Sequence, residues 1–192
     1  MTLLALLRHG DTAWSAEGRI QGRSDVPLSD EGRAALSAFR LPACGREMRV
    51  VTSPLSRCTE TAALIGAPGA PVDARLAEMH WGAWEGCVLA ELRAELGEVM
   101  RANEARGWNF RPPGGESPRE VLARVQGWLR DCAAAERPTL AVTHRGVIRV
   151  IYAAATGWDL RGAPPAKLDW HAVHLFRLGA NGAPAVEALN LQ

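Results

Sequence analysis

The stretch LLALLRHGDT constrains this chain more than any other. Residues 3–7 are all apolar, and they run without a spacer into Arg8, His9, Gly10, Asp11 and Thr12. A short, near-continuous apolar run describes a strand buried on both faces, as found inside α/β sheets. The end of such a strand is where a polar group can open to solvent without disturbing the core. A cation and an imidazole placed there mark that end as a candidate reaction centre.

Similar runs recur at 48–51, 140–142 and 172–178, and the segments between them have helical periodicity. In LSDEGRAALSAFR, Ser29 is placed to cap a helix opened by Asp30 and Glu31. SPLSRCTETAALIG offers Ser53 or Ser56 as cap and stops at Gly66. A third helix is expected over roughly 88–105. A fourth follows Pro118 with a stripe of Val121, Leu122, Val125, Trp128 and Leu129, and a fifth starts near Gly146. GAPGAP and WNFRPPGGESP read as loops, since no shift in charge or composition accompanies them. The last ~30 residues read as a final strand and a terminal β segment. Strands alternating with helices predict an α/β protein, a three-layer α/β/α sandwich with a largely parallel central sheet. With 192 residues, one domain spanning 1–192 is expected.

Charge and cysteine content narrow the function classes. A net charge of +1 offers no field suited to nucleic acid or to an anionic membrane, so neither is expected as a partner. No apolar run approaches the ~18–20 residues that span a bilayer, and the first run is short for a signal peptide and lacks a positive start. A cytoplasmic location is expected. Cys44, Cys58, Cys87 and Cys132 form no CxxC pair, which predicts free thiols rather than a zinc knuckle or a disulfide framework. No cluster of Asp, Glu or His has metal-ligand spacing, so no metal and no cofactor is expected.

Three predicted strand ends carry reactive residues. The first delivers Arg8-His9-Gly10, the second (VVTSPLSR) delivers Arg57 on the first turn of the next helix, and the third (LAVTHRG) delivers His144-Arg145-Gly146. Ligands of open α/β sheets bind outside the carboxyl ends of the strands. Any one of these residues alone has an ordinary structural reading, a hydrogen-bonded histidine or a solvated arginine. Together they suggest a site for an anion, and guanidinium forks match phosphate oxygens bidentately. A fourth element, LAEMHWGAWEG, supplies Glu78 and Glu85 among Trp81 and Trp84. Glu78 is read as the group that does chemistry, because an aromatic surface favours a neutral carboxyl and hence a general acid. Glu85 is read as a structural acid opening the next helix.

These stretches resemble the histidine phosphatase superfamily, the branch that includes cofactor-dependent phosphoglycerate mutase. LLRHGDTAWSAEGRIQGRSDVPLSDEGRAAL, VTSPLSRCTETA, LAEMHWGAWEG, RPPGGES and VTHRGVIR occur in the family's order across residues 6–149. The resemblance implies a phosphoglycerate mutase-like fold. It also implies a metal-independent phosphatase acting on small phosphate monoesters, with His9 as the nucleophile that becomes a phosphohistidine. Arg8, Arg57 and His144 would hold the phosphate oxygens, with His144 protonated when phosphate is bound, and Glu78 would donate a proton to the leaving oxygen. Ser15, Gln21 and Gly22 fall where the family's mutases contact substrate, Trp81 would wall the pocket, and the Gly10 amide would approach the phosphate.

The chain departs from the pattern at Ser15, where many relatives have Asn, and at Arg145, where relatives often have Gly. If Arg145 points into the cleft it favours a substrate with a second anionic group. Asn103, Arg106, Trp108, Asn109 and Arg111 are candidate lid contacts; Trp14, Trp81 and Trp84 are expected along the cleft and Trp128 in the core. The alternatives are an α-ribazole-5'-phosphate phosphatase of cobalamin synthesis, a cofactor-dependent phosphoglycerate mutase, or a catalytically inactive module that binds phosphorylated ligands. The stretch between Glu78 and the Gly-Gly loop is short for a mutase, which favours hydrolysis. Either a monomer or a homodimer is compatible with the sequence.

Overall fold

A computed structural model describes residues 1–192. Strands β1 (Thr2–Arg8), β2 (Arg49–Thr52), β3 (Thr139–Thr143), β4 (Val173–Leu178) and β5 (Pro184–Leu191) form one sheet in the order β2-β3-β1-β4-β5. The sheet is mixed. β2, β3 and β1 run parallel, while β4 pairs antiparallel with β1 and β5 antiparallel with β4. β4 and β5 form a hairpin through a short turn at 179–183. β4 itself joins β1 antiparallel after α6 (Arg145–Thr156) and the 157–172 connection.

Alternation along the strands divides the core between two faces. Leu4, Leu6, Ala141, Phe176 and Leu178 point to one face and pack under α5 (Pro118–Ala134) and α6 (Arg145–Thr156). Ala5, Leu7, Leu140, Val142 and Leu175 point to the other face. There they meet Phe39 and Leu41 after α2 (Asp30–Ala38), and Cys58 and Ala62 of α3 (Ser56–Leu64). Each fully buried leucine contributes roughly 1.5–3 kcal/mol relative to exposure. Helices therefore flank both faces, giving three layers.

The helix ends show where sequence reasoning works and where it fails. Ser29 accepts from the Gly32 amide and caps α2 as expected. Ser117 and Glu120 form a capping box around Pro118 at the start of α5. Neither Ser53 nor Ser56 caps α3. Its Ncap is Leu55, and the Asp25 carboxylate from a distant loop accepts both the Ser56 amide and the Ser56 hydroxyl at 2.8 Å. A remote carboxylate thus does the work expected of the local serine. The third expected helix is α4 (Leu89–Glu104), preceded by the four-residue α1 (Ala13–Ala16) far upstream; Gly97, at φ 48° and ψ −116°, breaks it in the middle. No helix is long and apolar enough to cross a membrane.

Candidate active site

Register brings the strand ends together. Arg8 of β1 lies opposite Thr143 of β3, so the next residue on each strand, His9 and His144, emerges at the same edge. The His9 amide extends the ladder by donating to the Thr143 carbonyl (2.9 Å), and the Ser53 amide at the end of β2 donates to the Val142 carbonyl (3.0 Å). The two imidazole centroids are 5.2 Å apart. Three segments far apart in sequence thus converge because parallel neighbours end in step.

The two histidines are held differently. His9 Nδ1 is 2.7 Å from the Gly10 carbonyl, which can only accept, so Nδ1 carries the proton and Nε2 is left with its lone pair. Burial, reinforced by the nearby Arg8 and Arg57 charges, pushes His9 well below the ordinary histidine pKa. It is a neutral imidazole on the wall of a cavity of about 650 Å³. His144 is fully buried and sits behind that wall. Its Nε2 lies 2.6 Å from Ser53 Oγ and 3.4 Å from Cys58 Sγ. Ser53 Oγ also accepts from the Leu55 amide, which leaves its hydroxyl proton free for His144 Nε2 and fits a proton on Nδ1. Burial, followed by His9 and Arg57, pushes His144 well below its ordinary value too, so without an anion beside it this ring is neutral.

Arg57 is wholly buried, on the first turn of α3 as expected. Its Nη1 and Nη2 donate to the Ser24 and Gly22 carbonyls, each at 2.8 Å, and its Nε has no protein partner. The loop that holds it is itself clamped by Glu85. The Glu85 carboxylate accepts from the Arg23, Ser24 and Trp81 amides and the Ser24 hydroxyl. Glu85 is structural, but not as the first-turn acid of the next helix; it ties two loops together. Arg8, held loosely by Asp11 at 3.4 Å, completes the cationic wall.

Glu78 faces the same cavity. It is 9% exposed, and burial raises its carboxyl above the ordinary range despite amide donors from Gly146 (3.1 Å) and Met79 (2.7 Å). Burial is the cause. Gly146 lets the carboxyl approach this closely, since a Cβ there would lie 2.2 Å from Glu78 Oε1 and push it away.

Ser15, Gln21, Gly22, Trp81 and Arg145 all line the cavity. The Ser15 hydroxyl is engaged, donating to the Thr12 carbonyl and accepting the Thr12 amide in a capping box at α1. Gln21 Oε1 is buried without a partner. The Gly10 amide does not serve the site as expected, because it donates to Thr61 Oγ1 at 3.0 Å. Gly10 is needed instead for packing, a Cβ there falling 2.5 Å from Leu36 Cδ1.

The rim differs most from expectation. Trp84 is buried with Ile20, Leu92 and Met100, Trp14 packs at Gly86 outside the cavity, and Trp128 is in the core. Asn103, Arg106, Trp108, Asn109 and Arg111 do not line the cavity; their neighbours Glu104, Gly107 and Phe110 do. The Asn103 side chain is occupied at both ends by the Arg111 backbone, donating to its carbonyl and accepting from its amide. Trp170, Arg149 and Arg93 on the wall were not singled out from sequence. Only the i, i+4 spacing of Arg145 and Arg149 on one helix could have signalled any of them.

A family model described as histidine phosphatase superfamily (branch 1) matches residues 4–192. A glucosyl-3-phosphoglycerate phosphatase of Mycolicibacterium vanbaalenii is 34% identical over 176 residues, covering 84% of this chain and 77% of that protein. A 2,3-bisphosphoglycerate-dependent phosphoglycerate mutase 2 of Gloeobacter violaceus is 35% identical over 162 residues, covering 79% and 74%. Among solved structures, a mycobacterial glucosyl-3-phosphoglycerate phosphatase in complex with VO3 superposes with a TM-score of 0.80 at 26% identity, each chain covered over its full length.

Proposed function

Because the chain belongs to the histidine phosphatase superfamily, branch 1, we propose that residues 1–192 act as one catalytic domain that hydrolyses small phosphate monoesters through a phosphohistidine, without a metal. One observation carries this reading. A neutral His9, with Nδ1 tied to the Gly10 carbonyl and its lone pair on Nε2, shares a cavity with two guanidiniums and a buried carboxyl whose neutral form is favoured.

In the first step His9 Nε2 attacks phosphorus as the P–O ester bond breaks, and Glu78 gives its proton to the departing oxygen. In the second, the Glu78 carboxylate takes a proton from water, the oxygen attacks phosphorus, and the P–N bond breaks to free phosphate and neutral His9. Arg8 and Arg57 meet the phosphoryl oxygens, where charge develops. His144 takes up a proton as the dianion arrives, since an adjacent negative charge reverses the effect of the guanidiniums. The relatives that match this chain include a mutase, and the same phosphohistidine could pass its phosphoryl group to a second substrate. The single broken helix α4 is modest cover against water, which favours hydrolysis.

The test is phosphate release from an aryl phosphate in excess EDTA, beside His9→Ala. Turnover that disappears in the variant supports the proposal, and a panel including glucosyl-3-phosphoglycerate then seeks the substrate. Wild-type release no faster than the variant's overturns it, and 3-phosphoglycerate with 2,3-bisphosphoglycerate then tests transfer.

A further inference from the structure

α6 presents two guanidiniums to the cavity that have no counter-ion. Arg145 lies over the Trp170 ring, 4.8 Å from its centroid, and Arg149 lies over Trp158 at 5.1 Å. Neither guanidinium makes an ion pair or a hydrogen bond within the protein. The carboxylates on the same wall are committed elsewhere: Glu78 to two amides, Asp11 to Arg8 and His171, and Glu104 to Arg93.

This arrangement works against itself electrostatically. Like charges four residues apart on a helix repel, and Arg145 also occupies the first turn, where the helix dipole disfavours a cation. Desolvation and the Arg8 charge depress Arg145, and burial together with Arg145 does the same to Arg149, with the nearby Glu78 carboxyl offsetting only part of the effect in each. The aromatic shelves fix both side chains without neutralising them. A bound anion removes the conflict.

The position of the pair indicates which part of a ligand it meets. Arg145 is flanked by His144, on the phosphate side, and by Gly146, whose amide holds Glu78. Glu78 serves the departing oxygen, so the pair lies where the alcohol portion of the substrate must sit. We infer that Arg145 and Arg149, on their Trp170 and Trp158 shelves, form a second anion subsite selecting phosphate esters whose alcohol portion carries its own carboxylate or phosphate. The inference rests on the hydrolytic reading for its orientation, but the subsite itself is a matter of binding.

Matched pairs test it: 3-phosphoglycerate against glycerol 3-phosphate for a carboxylate, and fructose 1,6-bisphosphate against fructose 1-phosphate for a phosphate. The doubly anionic member is expected to have the higher kcat/KM, by about 10-fold or more in at least one pair, as for a charge-assisted contact. Arg145→Ala and Arg149→Ala each shrink that ratio towards one, mainly through KM, and Arg145→Lys keeps part of it. Arg145 is exposed on the cavity wall, so Arg145→Ala keeps the test usable if Arg149→Ala does not fold. Calorimetric binding of the same pairs to His9→Ala, with and without Arg145→Ala, separates the two readings. A binding preference lost with Arg145 while wild type hydrolyses nothing defeats the phosphatase reading and leaves the subsite standing. Equal affinity within both pairs, or a preference that survives both alanine variants, overturns the subsite.

Discussion

The inner end of the cavity and its α6 rim are both rich in cations, yet they are built on opposite principles. At the inner end the buried groups are fixed from several sides. His9 is bound to a backbone carbonyl, Arg57 to two carbonyls, and Glu78 to two amides, while His144 is backed by a serine. At the rim, Arg145 and Arg149 rest on indole rings and bind nothing else. On the proposed function, the inner groups are set before substrate arrives, whereas the rim pair waits for substrate to complete it. Preorganised dipoles stabilise a developing charge without reorganising during the reaction. Selectivity needs no such rigidity, and a few rim residues can change without altering the chemistry.

The largest expected effect breaks the inner end at its acid. Glu78→Gln lowers kcat on an alkyl phosphate by about 10²–10⁴-fold. On a nitrophenyl phosphate, whose phenolate leaves without help, the loss in the phosphorylation step is much smaller. Stopped-flow comparison of the two esters reads the difference, and equal losses would remove Glu78 from the role of proton donor.

Gly146→Ala attacks the same acid through the backbone. The added methyl would sit 2.2 Å from Glu78 Oε1 and lose the close approach that holds the carboxyl. Overpacking of this kind costs about 1–3 kcal/mol. A lowered urea midpoint together with reduced kcat is expected, and a variant as stable and active as wild type would show that the carboxyl can relax freely.

The pH dependence of stability sharpens the comparison, because the inner end holds two histidines whose burial favours the neutral ring and the rim holds none. His174 on β4, also buried and lowered, adds in the same direction. For His9 and His144 the folded pKa lies below the unfolded value of about 6.5, so the unfolded chain binds more protons between the two. Their contribution is fully present above that value and is lost as pH falls, with a slope of at most about 1.4 kcal/mol per pH unit for each ring. Glu78 has the opposite sign. Its raised folded pKa favours the fold at low pH, and that contribution fades as pH rises through the raised value. Urea midpoints from pH 7 down to 5 are expected to fall, and more steeply in wild type than in His9→Ala.

The smallest effect is expected outside both regions. Arg111 pairs with Glu120 and donates to the Gly115 carbonyl beyond the cavity. Arg111→Ala is expected to leave kcat/KM within about 2-fold. A large loss would mean that the 107–113 loop folds over the substrate after all.

The sequence alone determined a good deal, because much of it is encoded by neighbours. Largely apolar runs bounded by helical periodicity locate β1, β2, β3 and β4 to within a residue or two, since burial on both faces confines charged residues to exposed positions such as Arg49 and Arg177. Ser29 and Pro118 mark helix starts through contacts spanning three or four residues. Arg8, His9, Arg57, Glu78 and the motif around His144 were legible as candidates because each follows a readable strand end or sits in a stretch that resembles a known family.

What only the tertiary structure decided depends on partners far apart in the chain. The Asp25 carboxylate displaced the expected serine caps of α3, and Thr61 took the Gly10 amide expected to serve the phosphate. Ser53 lies 91 residues from the imidazole it supports. Whether Arg145 faced the cavity was left open by its sequence neighbours; the position of Trp170, brought alongside α6 by the return of the chain towards β4, settles it. Local sequence sets backbone conformation within a turn or two, whereas the partner of a buried or charged group is chosen by whichever distant side chain the packed layers bring within 3–5 Å.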